Sequence, residues 1–99
     1  MSVTVVVRGM LKSDPGAIQA IHDSVTGATR EMAQQAGDIS HNTFLSPADR
    51  RNFLGIDVWS SAEAFQRFSS DPKIQEFLGQ MFEGMPEVTV WEDSGWNKW

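Results

Sequence analysis

The chain has 99 residues, which suits a single domain over residues 1–99, because two smaller pieces could not stabilise themselves. Its net charge of −5 argues against nucleic acid as a partner, since phosphate contacts require clustered basic side chains. It contains no cysteine, which excludes disulfides, thiolate catalysis and soft metal sites. The N-terminus does not resemble a signal peptide and no stretch approaches a membrane span, so we expect a cytoplasmic protein with no membrane partner.

The first half of the chain predicts a strand, a long helix and a second strand. "SVTVVVRG" is apolar at both parities, which is typical of a strand covered on both faces. Asp14 is placed to cap a helix that begins at Pro15, and apolar residues then recur at helical spacing from Ile18. Gly37 ends this helix, while Gly27 weakens it without abolishing it. "DISHNTFLS" alternates, which favours the second strand.

The second half predicts a strand, a broken helix and a last strand. "NFLGIDVW" is the third strand, and Ser60 with Glu63 forms a capping box, so we expect a helix to begin directly after Trp59. Asp71–Pro72 interrupts that helix and begins another, which ends at Gly84. One side of this last helix is predicted to be apolar: Ile74, Phe77, Leu78, Met81, Phe82 and Met85. "EVTVWED" is the fourth strand.

The β-α-β-β-α-β order predicts an α+β, ferredoxin-like sandwich with the helices on one side of an antiparallel sheet. The strands are apolar at both parities, as at Val5 and Val6, so the other face of the sheet also needs a cover. The simplest cover is the same face of a second subunit, which predicts a homodimer. The tail "GWNKW" is expected to fold over that partner.

These elements resemble the antibiotic biosynthesis monooxygenase family of dimeric α+β barrel proteins. The resemblance rests on "GIDVW" leading into "SSAEAF", on "SSDPKIQEF" and on the terminal "PEVTVWE". Such proteins typically carry an acidic residue two positions before a Trp, then a polar cap and Glu-Ala, which here are Asp57, Trp59, Ser60 or Ser61, and Glu63–Ala64. The resemblance implies two subunits forming one dimeric α/β barrel.

The family resemblance also implies a function. It implies a cofactor-independent monooxygenase that oxidises a small, electron-rich aromatic molecule, hydroquinone-like or anthrone-like, with O₂. Family members often carry a His one helical stretch after the Trp, where this chain has Phe68. Haem-degrading members carry an Asn in the first strand, which is also missing here, so we expect no haem, with His22 or His41 as the only alternative ligands. The resemblance to cofactor-free oxygenases implies no other cofactor.

Two histidines are candidates for the general base that such chemistry needs. His41 lies on the strand face shared with Ile39, Thr43 and Leu45, and the unperturbed pKa of a histidine, about 6.5, suits a base at neutral pH. His22 flanks the apolar stripe of the first helix and can point into the space between helix and sheet. Either residue is equally compatible with a structural, hydrogen-bonded role. Neither has neighbours at metal-ligand spacing, so no metal site is expected.

The remaining candidates surround the corner between the third strand and its helix. Trp59 is either a pocket wall and hydrogen-bond donor or a core side chain. Asp57 shares its parity and is either an acid or base, or, as the favoured alternative, an ion-pair partner of Arg67 or Arg8. Arg67 is either an anion stabiliser or an exposed charge. The break at 71–72 is expected to leave a gap lined by four substrate-binding side chains: Phe65, Phe68, Phe77 and Met81.

Two other functions fit the same sequence. One is a non-catalytic dimer on the same barrel that binds a small molecule or has a stress-related role, and the other is a lactone isomerase or similar acid-base enzyme that uses a His without oxygen. An open apolar pocket containing a His would favour an enzyme. A cavity packed shut by Phe65, Phe68 and Phe77 would favour binding or a structural role.

Overall fold

The computed structural model describes all 99 residues as one antiparallel sheet with three helices. The elements are β1 (Val3–Met10), α1 (Pro15–Ala36), β2 (Asp38–Leu45), β3 (Asn52–Trp59), α2 (Ala62–Ser69), α3 (Pro72–Met81) and β4 (Glu87–Trp91). The strand order is β2-β3-β1-β4, and every neighbouring pair is antiparallel. The predicted α+β ferredoxin-like fold is therefore confirmed. None of the helices is both long enough and apolar enough to cross a membrane.

Helix α1 begins and ends where its local sequence predicts. The Asp14 carboxylate accepts a hydrogen bond from the backbone N–H of Gly16 (3.0 Å), and Pro15 occupies the first helical position. At the other end Gly37 takes φ 125°, a conformation that side chains with a Cβ rarely adopt. These signals act over a few residues, so they hold whatever the helix packs against.

The cap of α2 is one residue later than predicted. The Ser61 hydroxyl, rather than that of Ser60, accepts the hydrogen bond from the N–H of Ala64 (3.1 Å). The backbone N–H of Ser60 donates instead to the Gly37 carbonyl (2.8 Å). This bond ties the end of β3 to the end of α1, so the chain turns into α2 one residue further on.

The end of α3 also differs from the prediction. The helix stops at Met81, because Phe82 is extended (φ −112°, ψ 147°) and forms an isolated bridge with Leu11. The N–H of Glu83 then donates to the carbonyl of Met10 (2.9 Å), which draws the chain away from the helix axis. Met85 is consequently 79 % exposed instead of lying on the apolar side of the helix.

The core consists of two clusters on the helix-covered face of the sheet. One contains Leu11, Ile18, Phe53, Met81 and Phe82. The other contains Val3, Val5, Trp59 and Ala64. Val7 packs against both clusters, so the two form one layer between sheet and helices. The opposite face of the sheet has no such layer.

Candidate functional site

A β-bulge in β2 places two polar residues on the same face of the sheet. Asp38 lies opposite Trp59 and His41 lies opposite Asp57, while the register shifts between Asp38 and Ser40. Strict alternation would put positions 38 and 41 on opposite faces, and the extra residue of the bulge removes that separation. Ile39 is 61 % exposed and lines the same cavity as His41.

Four side chains form a continuous hydrogen-bonded chain between the sheet and α1. His41 Nδ1 lies 2.7 Å from Asp57 Oδ1, and His41 Nε2 lies 3.0 Å from His22 Nε2. His22 Nδ1 in turn lies 3.0 Å from Asp23 Oδ1. The structure thus joins the two histidines that the sequence offered as alternative bases.

The partner predicted for Asp57 is wrong. Its carboxylate pairs with His41 and with neither of the arginines considered. Arg8 lies opposite Leu54 in the register, on the other face of the sheet, and Arg67 is exposed on α2. The pairing register of β1 with β3 decides the face of Arg8, and the position of Arg67 depends on how α2 packs.

Asp38 is the site residue that sequence reasoning missed. Burial and the neighbouring Asp57 carboxyl together raise the pKa of Asp38 to about 8, and its Oδ1 is buried without a hydrogen-bond partner. Asp38 is therefore protonated at neutral pH. The local sequence does not predict Asp38 as a site residue, because without the bulge this position faces away from Asp57.

Each histidine of the pair binds one carboxylate, and the two carboxylates differ in solvent exposure. The hydrogen bond from His41 to Asp57 raises the pKa of His41, and burial opposes this only in part. The hydrogen bond to His22 lowers the pKa of Asp23, whose side chain is 63 % exposed. The Asp57 side chain is 19 % exposed and faces the interior. The chain of hydrogen bonds therefore runs from the protein interior to the surface.

Two cavities open beside the Asp57–His41 end of this cluster, and a third, about 560 Å³, opens at its His22–Asp23 end and is also lined by Arg50 and Met81. The first, about 340 Å³, lies between α1 and β2 and is lined by His41, Phe68 and Phe77 among others. The second, about 330 Å³, lies under α2 and α3 and is lined by Trp59, Phe65 and Phe68 among others. The carboxyl groups of Asp38 and Asp57 lie on the wall of both. The space is thus not packed shut by the phenylalanines.

The structure separates the predicted pocket residues. Phe68 lines both cavities at the break between α2 and α3, where the sequence predicted a gap. Trp59 is only 2 % exposed and packs edge-on against Phe65, yet it also lines the second cavity, so it is both core and wall. Met81 is buried in the core beside Leu11 and lines the third cavity instead of the first two. Its predicted contact with a substrate stays a prediction.

Cations and metal ligands complete the description of the site. Arg67 lines neither cavity, while Arg30 of α1, which the sequence did not single out, lies on the wall of the first. The polar groups of the cluster bind one another, and no group of three or more His, Asp or Glu side chains is arranged to hold a metal ion.

Comparison with known proteins identifies the family. Residues 4–80 match the family model described as antibiotic biosynthesis monooxygenase. The chain belongs to this family. No match was found among curated proteins.

Solved structures of this fold cover almost the whole chain. A cofactor-independent oxygenase of Streptomyces nogalater superposes with a TM-score of 0.74 at 20% identity, covering 93% of this chain and 92% of the other. A monooxygenase of Streptomyces coelicolor in complex with nanaomycin D gives 0.73 at 19% identity, with 98% and 91% covered. A protein of Mycobacterium tuberculosis gives 0.72 at 20% identity, with 99% and 100% covered. At such identities these likenesses show the fold alone.

Proposed function

We propose that this protein is a cofactor-independent monooxygenase that oxidises a small, electron-rich aromatic molecule, hydroquinone-like or anthrone-like, with O₂. One observation carries the proposal: Asp57, hydrogen-bonded to His41, lines two cavities whose walls include aromatic side chains. Two proteins of the same fold support it, since one is a cofactor-independent oxygenase and the other is a monooxygenase in complex with nanaomycin D.

The chemistry begins with removal of a proton from the substrate. Asp57, backed by His41, accepts the proton of a phenol or of an activated CH₂ group, which leaves an electron-rich anion. That anion transfers electrons to O₂. For an anthrone-like substrate the CH₂ becomes C=O, one oxygen atom enters the product and the other leaves as water with the two hydrogens. All four electrons come from the substrate carbon, so the equation balances without a further reductant.

The cluster is suited to an anionic intermediate because its own negative charge is limited. Asp38 is protonated at neutral pH, so the wall carries one carboxylate rather than two. His41 places a proton-bearing ring behind that carboxylate. We assign the flat faces of Phe68 and Trp59 to stacking against the aromatic substrate, and the indole N–H of Trp59 to one hydrogen bond.

Oxygen uptake by the purified protein tests this function. The substrates are a panel of hydroquinones and anthrones with a chelator present, and ¹⁸O₂ shows whether one oxygen atom enters the product. We expect Asp57→Asn to lower kcat by roughly 10²–10⁴-fold and Trp59→Phe to reduce turnover, with Glu76→Gln on the exposed side of α3 as the matched control. Wild type that takes up no oxygen from any of these substrates would refute the proposal.

A second function is favoured by the carboxyl pair. Protonated Asp38 beside Asp57 can supply both an acid and a base, which suffices for isomerisation of a lactone or a similar proton shift. Turnover that continues without oxygen would establish this alternative. A purely binding role is less well supported, because the cavities are open and contain the polar cluster.

We further propose that the protein works as a homodimer. The sheet face opposite the helices carries six apolar side chains, of which Phe44 and Trp91 are exposed: Val6, Phe44, Leu54, Ile56, Val58 and Trp91. A second copy of the same face would cover them, as the family fold implies.

A further inference from the structure

We infer that His22 and Asp23 extend the Asp57–His41 pair into a proton relay that leads from the cavity wall to solvent. The inference rests on the proposed function only for the source of the proton. Asp57 forms the inner end, on the wall of both cavities, and Asp23 forms the outer end at the surface. Two histidine rings connect them through three hydrogen-bond distances of 2.7, 3.0 and 3.0 Å.

Counting hydrogens shows that the relay holds an extra proton. Each of the three contacts needs one hydrogen between its two heavy atoms. Two neutral imidazoles supply only two N–H groups, and ionised carboxylates supply none. The chain from Asp57 to Asp23 therefore carries one proton beyond the two of the neutral rings. A proton accepted at one end is balanced by the release of another at the far end, with no net gain of charge.

The orientation of the two rings permits transfer between them. The rings of His22 and His41 are within 17° of parallel, with their centroids 5.1 Å apart. Their Nε2 atoms are 3.0 Å apart, closer than the roughly 3.5 Å at which the faces of stacked rings meet. The nitrogens thus meet along the ring edges, where the lone pair of one faces the N–H of the other. Thr26 Oγ1, 3.3 Å from His22 Nε2, helps to hold the outer ring.

Charged side chains lie near both ends of the path. The sheet presents the carboxyls of Asp38 and Asp57 to the His pair, and α1 contributes Asp23, with Arg30 further along the wall of the first cavity. Two further charged residues, Asp14 and Arg50, line the third cavity beside His22. Helices α2 and α3 contribute apolar side chains there, among them Phe68 and Phe77. The His41 side chain is 36 % exposed and that of His22 is 15 % exposed. The hydrogen-bonded route through His22 to Asp23 therefore exists beside the direct contact of His41 with the first cavity.

Histidine titration by NMR tests the relay without any substrate. With ¹⁵N-labelled histidine, we expect the pair to titrate in two macroscopic steps separated by about one pH unit or more. In His22→Phe, His41 should titrate in a single step at a pH lower by about half a unit or more, because its imidazolium loses an acceptor. Two independent titrations near pH ~6.5, with the His41 curve unchanged in the variant, would overturn the inference.

Two variants guard against a simple loss of structure. If His22→Phe does not fold, Asp23→Asn keeps both rings and removes the outer charge, and both steps should then shift to lower pH. Glu31→Gln, an exposed charge change on the same helix, is the matched control and should leave both steps in place. Steps that shift equally in Asp23→Asn and Glu31→Gln would also count against the relay.

Kinetics separate the failure of the relay from the failure of the proposed function. In weak buffer His22→Phe should lose about tenfold or more in kcat with little change in KM, and added imidazole should restore the rate. Oxygen uptake with an unaltered kcat in this variant would refute the relay and leave the oxygenase standing. Coupled titration in a protein that oxidises nothing would refute the oxygenase and leave the relay standing.

Discussion

Asp38 occupies a position where a negative charge is costly. Its Oδ1 is buried without a partner, and the Asp57 carboxyl lies beside it, so both desolvation and repulsion favour the protonated form. Protonation removes the repulsion and leaves a neutral group against the cavity wall. The same residue would be an ordinary surface aspartate if the bulge of β2 were absent.

The raised pKa of Asp38 makes the fold less stable as pH rises. Above pH 3.8 an unfolded Asp38 ionises freely while the folded one keeps its proton up to about pH 8, so the free energy of unfolding falls across this range. The raised pKa of His41 acts in the same direction, since its contribution is complete below about pH 6.5 and is lost as pH rises through the folded pKa.

Replacing Asp38 with asparagine isolates the contribution of Asp38 to the pH dependence of stability. We expect Asp38→Asn to raise the free energy of unfolding by about 1–3 kcal/mol at about pH 8 and to change it little at about pH 5. Urea denaturation of wild type and variant at both pH values measures the difference. If the variant and the wild type differ by the same free energy of unfolding at both pH values, Asp38 ionises normally in the folded protein.

At the scale of elements, the local sequence predicted most boundaries because the signals that set them are local. Asp14 and Gly37 bracket α1 as expected, and Asp71 caps α3 through the N–H of Lys73. The two errors, at Ser60 and beyond Met81, both occur where the backbone bonds to a distant segment. Those bonds join residues that are far apart in sequence, so no local pattern contains them.

Gly27 within α1 and Gly37 directly after it provide a matched test of this view. Gly27 lies within the helix with nothing within 4 Å of an added Cβ, so Gly27→Ala should stabilise the protein by about 0.5–1 kcal/mol. Gly37 has φ 125°, and an added Cβ would lie 2.5 Å from Ser60 Oγ. Gly37→Ala should therefore cost about 1–3 kcal/mol. Thermal and urea unfolding of both variants decide the matter, and equal effects of the same sign would contradict the assigned conformations.

At the scale of the whole molecule, the sheet is covered on only one face within the chain. Ile56 and Val6 face each other across β3 and β1 on the uncovered side, near its centre. Trp96 and Trp99 are also exposed in the single chain. Apolar area of this kind is usually removed from water by association.

Disruption of that face should separate the subunits. Analytical ultracentrifugation of wild type should give twice the chain mass of 11.0 kDa, whereas Ile56→Arg should give the chain mass, because a buried unpaired charge destabilises the interface. Met32→Arg, a change at an exposed apolar residue of α1, should leave the dimer intact. A wild-type protein that sediments as a monomer would refute the dimer.

The sequence by itself determined the order of elements, the caps of α1 and α3, the strand parity of Trp59 and Asp57, and the family resemblance. Helix caps, proline and the alternation of apolar residues act between near neighbours, so the local sequence is enough to predict them. The site itself was decided by the tertiary structure. Residues 22 and 41 meet only because α1 packs over β2, and Asp38 reaches Asp57 only through a bulge. The chemistry therefore depends on contacts between distant segments, whose energies no local pattern records.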